Sequence, residues 1–472
     1  MVISFRTLSP MEELLQAPLR RIAAAIAQGE VTSEAVTRGF LNRIAAVNDK
    51  LNAVICIDAD SAIKRATNAD AAMKAGEMQG PLHGVPITMK DSLDTIDHVS
   101  TWGTSGRREV RPGADATCVG RLRDAGAIIL GKTNTPEFTL SFETDNVVFG
   151  RTNNPYDQSR TPGGSSGGAA AIIAAGGSPF DVGTDTGGSI RLPSHFCGIV
   201  GLKPTTGRIP CTGNALPTSG LIAPLSQPGP MGRYVDDVAF TLPIMAGPDN
   251  RDPHAVNAVL HDPTQIDVRQ LRLAWHADNG IKTPADDIVR VVGDVIKQLQ
   301  ADGFEVAETR PPGLEMAYFI MNRVFGADGG DLIEMLIEDA HTTDVSPILQ
   351  ASLDAHRAEP ALDQREVAQV MTLWHNYQSS MLSFFNNYDV LLCPVNASTA
   401  VPHGSSPEID GYSYTAAYNL TGWPGLVVRA GTDAGGLPIG VQILARPFRE
   451  DHCIAVGWAI EAMLGEMPGP SL

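Results

Sequence analysis

Residues 183–193 read GTDTGGSIRLP. Ser189 follows a glycine pair, with Asp185 and Thr186 before it and Arg191 after it. Two readings compete. Glycine pairs punctuate ordinary turns. The same pair also lets successive backbone N–H groups point at one spot, as an oxyanion hole requires. The stretch alone allows both, so the rest of the chain must decide.

Composition narrows the field. The chain has 472 residues, of which 43% are hydrophobic and 19% charged, with 47 glycines and 33 prolines. That describes a globular, loop-rich enzyme with a sizeable core. The net charge of −18 lacks the cations that nucleic acid or an anionic membrane demands, so neither is an expected partner. Six cysteines stand far apart without a C-x-x-C pair, which argues against a disulfide framework or a zinc site. They are expected to be reduced and packed, with no metal and no cofactor. The apolar run Ile22–Ala27 is too short for a signal core, and no stretch approaches a membrane span. A cytoplasmic protein is expected.

The order of elements is that of an α/β protein. Val36, Phe40, Ile44 and Val47 recur at helical spacing behind Thr32 and Ser33. Residues 116–125 predict a helix ending at Gly126, and AIIL (127–130) a buried strand. The pair recurs at 166–182, where GGAAAIIAAGG leads into PFDVG. LRLAW (271–275) predicts a strand, followed by a helix capped at Thr283–Pro284 that carries Ile288, Val291, Val292, Val295, Ile296 and Leu299. FEVA (304–307) and VLLCP (390–394) predict strands, 426–430 and 437–445 a hairpin, and 450–464 a closing helix. The stretch 313–388 shows mixed helical patterns without legible chemistry.

Several motifs match signatures by letter only. GAIILGKT (126–133) fits the P-loop expression, but its interior prefers a strand and a helix precedes it, so a nucleotide-binding protein is a weak alternative. SAIK (61–64) fits S-x-x-K without its companion elements. GGSSG (163–167) fits a nucleophile elbow, yet loop rather than strand feeds it. It predicts an exposed Ser165 on a glycine turn. His195 is the histidine nearest Ser189 in sequence, and nothing marks it as a triad member.

A different base is available. Lys90 lies in GVPITMKDSLDT (84–95) between Val85, Ile87 and Met89 on one side and Leu93 on the other. Alone, such a lysine reads as snorkelling to water. If buried it favours its neutral form, which can serve as a general base. Lys90, Ser165 and Ser189 then make a relay that passes a proton from Ser189 through Ser165 to Lys90.

With these residues in hand, the chain resembles the amidase signature family of serine hydrolases, which use a Ser–cis-Ser–Lys triad. The matching segments are PLHGVPITMKD (81–91), ILGKTNTPEF (129–138), FGRTNNPYD (149–157), TPGGSSGGAAA (161–171) and GTDTGGSIRLPSHFCGIVGLKPTTGRIP (183–210). NLTGWPGLVV and GLPIGVQILA near the C-terminus also fit. The resemblance implies that Ser189 is the nucleophile, Ser165 the bridging cis-serine and Lys90 the base. It implies an oxyanion hole from the amides of Thr186, Gly187, Gly188 and Ser189. Ser166, Asp185 and Arg191 would support the site, and Phe138, Thr139, Leu140 and Phe142 would fall along the acyl pocket.

The resemblance also implies a fold: an α/β/α domain around a mixed, mostly parallel twisted sheet of about eleven strands with helices on both faces. The expected organisation is one domain, 1–472. Within it lie an N-terminal helical part (1–60), a catalytic core (61–245), a variable substrate region (246–389) and a return to the core sheet (390–472). The implied activity is hydrolysis of a small-molecule amide through an acyl-enzyme. The rival within the resemblance is the catalytic subunit of a tRNA-dependent glutamine amidotransferase, the rival of another class is a nucleotide-binding protein using GAIILGKT, and a third, weaker one is a non-catalytic scaffold. Specificity is expected in 313–388 and in the loops around 400–425, with Tyr318, Phe319 and Tyr414 as pocket candidates. The sequence leaves the substrate and the oligomeric state, a homodimer included, open.

Overall fold

Alternating helix and strand signals produce eleven strands in the computed structural model, which describes residues 9–405 and 409–472. In chain order the strands are β1 (Val54–Ile57), β2 (Pro86–Lys90), β3 (Ile128–Thr133), β4 (Phe180–Asp185), β5 (Val200–Lys203) and β6 (Gln227–Gly232). They continue with β7 (Leu273–Trp275), β8 (Val306–Glu308), β9 (Val390–Pro394), β10 (Gly425–Thr432) and β11 (Pro438–Ala445).

The expected α/β class and strand number hold, and two details differ. The strands form two hydrogen-bonded sheets, β1-β3-β2 and β4-β6-β5-β10-β11-β9-β7-β8, rather than one. Antiparallel pairings also outnumber parallel ones, six to three. The reason is connectivity. The β10–β11 hairpin and the β5–β6 return reverse the chain without a crossover helix, and only a crossover makes neighbours parallel.

The two sheets meet where β2 lies beside β4. Side chains join them in place of a backbone ladder: the Thr88 hydroxyl donates to Asp181 Oδ2 at 2.7 Å, and the Thr88 amide donates to Ser178 Oγ at 3.2 Å. All five residues of β2 and all six of β4 are buried. This seam is where the chemistry-bearing side chains gather.

Helices cover the sheets. Ser33–Leu51 is capped by Thr32, whose hydroxyl accepts from Ala35 N–H, and buries Val36, Phe40, Ile44 and Val47 as the periodicity predicts. Asp286–Ala301 buries its expected stripe, although its N-cap is Ala285 rather than Thr283–Pro284. Residues 314–386 form helices around a second hydrophobic cluster, separate from the main core, that includes Trp374 and also takes in Phe138 and Trp423 from elsewhere in the chain. Through Met321, that cluster brings the variable region against the turn that follows β4.

The six cysteines are unpaired, and five of them are buried. No described helix is long and apolar enough to cross a membrane. Part of the 400–425 loop on which specificity was expected, residues 406–408, lies outside the described residues, as does the start of the N-terminal part.

Candidate active site

Lys90 ends β2 with its side chain wholly buried. Its Nζ lies 2.8 Å from Ser165 Oγ, 2.9 Å from Ser166 Oγ and 2.8 Å from Thr184 Oγ1. Three neutral hydroxyls surround the amine, and among the described residues no carboxylate contacts it. Burial pushes the Lys90 ammonium well below the ordinary lysine value, and the carboxylates of Asp185 and Asp181 oppose that shift from further away. The geometry thus favours an uncharged amine that can accept a proton.

Ser165 follows a cis peptide bond from Gly164. It is 1% exposed, so the glycine turn that carries it lies inside the protein and not on its surface, contrary to the expectation from sequence. The cause is packing around Gly164, where an added Cβ would sit 2.8 Å from Ser141 O and Phe142 C. The Thr135 hydroxyl donates to the Ser165 carbonyl at 2.9 Å and holds the turn.

The stretch 183–193 forms the end of β4, a tight turn, and the start of the helix Arg191–Cys197. Gly188 adopts φ +139°, and an added Cβ would lie 2.3 Å from Thr415 Oγ1, so only glycine fits. The Thr415 hydroxyl lies 2.7 Å from the Gly187 carbonyl. Asp185 organises the turn from within. Its carboxylate accepts from the N–H groups of Gly188 (2.8 Å) and Ile190 (3.1 Å) and pairs with Arg191 at 2.9 Å. Burial opposes ionisation of this carboxyl, but the Arg191 guanidinium outweighs it and holds the group well below the usual carboxylate range.

This corrects one expectation. The Gly188 amide is spent on Asp185, so it does not join an oxyanion hole. The N–H groups of Thr186, Gly187 and Ser189 have no acceptor among the described residues, which leaves three donors rather than four. Ser189 is 6% exposed, and its carbonyl accepts from Ser166 N–H at 3.2 Å. The Ser165 and Ser189 hydroxyls share no hydrogen bond. Such contacts commonly tighten only when substrate arrives.

The remaining candidates divide. Phe142 stacks on Tyr412 with centroids 3.9 Å apart, and its ring edge and Met321 Cε stand beside Gly187. Phe138 is instead fully buried in the second cluster, with Thr139 buried and Leu140 half-buried in the turn beside it. Tyr414 is buried and donates to the Lys282 carbonyl at 2.7 Å, which is a packing role. Phe319 is exposed and Tyr318 half-buried. His195 is buried away from any relay: Nδ1 accepts from Gly440 N–H and Nε2 donates to the Ser398 carbonyl. GAIILGKT is a buried strand whose Lys132 donates to Thr95 Oγ1 and Ser100 Oγ, not a phosphate loop.

Sequence reasoning missed Thr184, Thr415, Asn419 and Gln442. Asn419 accepts from Arg191 Nη2 (2.6 Å) and donates to Asp185 Oδ1 (2.8 Å), while Gln442 Oε1 accepts from Arg191 Nη1 (2.8 Å). The signal for the last two was their place in NLTGWPG and GVQ, within the C-terminal segments that fit the family pattern.

Comparison with known proteins agrees with this geometry. A family model described as Amidase matches residues 35–454. The chain is 33% identical to an acylamidase of Rhodococcus erythropolis, over 94% of each chain. It is 34% identical to a glutamyl-tRNA(Gln) amidotransferase subunit of Acidothermus cellulolyticus, over 97% of this chain and 96% of that one. It is also similar to the crystal structure of a peptide amidase from Stenotrophomonas maltophilia, with a TM-score of 0.83, 27% identity, and coverage of 96% of this chain and 98% of that one. With nine-tenths of its length matched and a buried lysine beside a cis-serine and a glycine-bound serine turn, this chain belongs to the amidase family.

Proposed function

We propose that the chain hydrolyses a carboxylic acid amide through a covalent Ser189 acyl-enzyme. The observation that carries the reading is the burial of Lys90 against three neutral hydroxyls, with Nζ 2.8 Å from Ser165 Oγ, next to a turn with three amides that have no acceptor among the described residues. Ser165 accepts the Ser189 proton as Lys90 accepts its own, and the Ser189 oxygen attacks the carbonyl. The oxyanion is held by the amides of Thr186, Gly187 and Ser189. The proton returns through Ser165 to the leaving amine or ammonia, and water repeats the steps to release the carboxylate. Phe142, Tyr412 and Met321 stand where the acyl group would lie.

Triad variants and a fluorophosphonate probe test this. Ser189→Ala removes turnover and labelling, Lys90→Ala lowers kcat by about 10³- to 10⁴-fold, and Ser165→Ala falls between them. Full turnover by Ser189→Ala would refute the assignment. Because burial lowers the proton affinity of Lys90, the acid limb of kcat/KM lies well below the ~10.4 of a free lysine, with activity present above it and lost as pH falls through it.

The glutamyl-tRNA(Gln) amidotransferase relatives support a second reading, in which the same site releases ammonia for partner chains. The purified chain discriminates the two. Hydrolysis of simple amides by this chain alone supports the stand-alone amidase, and activity only with added partners supports the amidotransferase.

A further inference from the structure

The seam between the sheets holds a buried acid that the proposed mechanism does not use. Asp181, in β4, is fully buried. Its Oδ2 accepts from the hydroxyls of Thr88 in β2 (2.7 Å) and Thr133 in β3 (3.0 Å), and its Oδ1 accepts from the Val182 N–H at 2.7 Å. The backbone amide of Lys90 faces the same carboxylate and favours its ionised form. One carboxylate therefore draws together three strands, and one of its donors stands two residues from Lys90 on the same face of β2. A packing role alone would be filled by an apolar residue, since a buried carboxylate is costly to keep.

We propose that Asp181 is a positioning residue for Lys90: it ties β2 to β4 and supplies the negative potential that stabilises the ammonium Lys90 becomes during turnover. This rests on the Ser189–Ser165–Lys90 relay. The charged groups around the pair come from all adjoining strands: Asp185 from β4, itself paired with Arg191, and Lys132 from β3. Asp185 also raises the proton affinity of Lys90, from within its ion pair with Arg191, and Lys132 lies near Asp181. Asp181 has no cationic partner in contact among the described residues. Burial pushes its carboxyl up to about 6, while the Thr88 and Thr133 hydroxyls and the Val182 and Lys90 amides favour its ionised form as a counter-charge.

The test is the pH profile of Asp181→Asn. The amide keeps the volume, and the Thr88 and Thr133 hydroxyls can rotate to serve it. Loss of the negative charge lowers the proton affinity of Lys90, so the acid limb of kcat/KM moves to lower pH by about one pH unit. Plateau kcat falls about tenfold because the ammonium is less stabilised. The rate of Ser189 labelling by a fluorophosphonate probe follows the same limb, which reads nucleophile activation without any amide substrate. If Asp181→Asn folds poorly, Thr88→Ala with Asp181→Ser removes the charge and one of its donors while the serine hydroxyl can still accept from Thr133, and gives the same reading. An acid limb that superimposes on wild type in a variant of unchanged Tm overturns the proposal. A wild-type protein that neither labels nor turns over amides overturns the relay itself, and the two failures are thereby distinct.

Discussion

At the scale of single residues, the site depends on what Gly188 lacks and on what Lys90 avoids. Gly188 is locked by conformation and by contact at once, with a positive φ and Thr415 at its back. Gly188→Ala is expected to abolish fluorophosphonate labelling and to lower stability by about 2 kcal/mol or more, read as a fall in Tm. A labelled, stable variant would show that the turn can be built another way. Lys90 was legible as a candidate because apolar residues flank it, but its burial was not. Nothing local to GVPITMKDSLDT distinguishes a lysine that reaches water from one capped by Ser165, Ser166 and Thr184, residues 75 or more positions away in sequence. The Gly188 amide illustrates the same limit. A glycine pair announces N–H groups free to converge, and only the three-dimensional position of the Asp185 carboxylate reveals that one of them is already taken.

At the scale of elements, periodicity carried most of the information. The helices Ser33–Leu51, Asp286–Ala301 and Glu450–Leu464 and the β10–β11 hairpin fall where their apolar spacing and turn residues place them. The helix Ser413–Leu420 did not announce itself, because every one of its eight residues is buried and it presents no polar face to the sequence. It matters, since it brings Thr415 and Asn419 onto the turn before Ser189. Asn419→Ala leaves Asp185 and Arg191 each one partner short. The expected outcome is a loss in kcat of about 10- to 100-fold, the worth of one or two charge-assisted hydrogen bonds, with KM little changed. Unaltered kcat would confine Asn419 to packing.

At the scale of the whole molecule, the sequence reading identified the class and the strand number but not the division into two sheets. Register between β2 and β4 is set by Thr88, Asp181, Lys90 and Thr184 meeting across a gap, and such pairs leave no periodic trace. Stability has a pH dependence that can be isolated at one buried group. His276 is held neutral, pushed down to about 4 first by burial and then by the charge of Arg310. The unfolded chain, with a histidine near 6.5, takes up that proton sooner, so this buried imidazole costs stability as pH falls from about 6.5 to 4. His276→Leu should therefore match or exceed wild type near pH 7.5, and its stability advantage, read from Tm, should widen towards pH 4 by up to about 3 kcal/mol. A constant difference across that window would contradict the assignment of a neutral buried histidine.

The seam has a bearing on how new variants of this enzyme could be bred. The proposed proton acceptor and attacking oxygen ride on separate platforms stitched by a few hydroxyls and one acid, while Met321 and its neighbours come from helices outside both. Selection for an unfamiliar amide can rework the outer helices and leave the clockwork untouched, whereas a substitution among the stitches would retune speed for every amide alike.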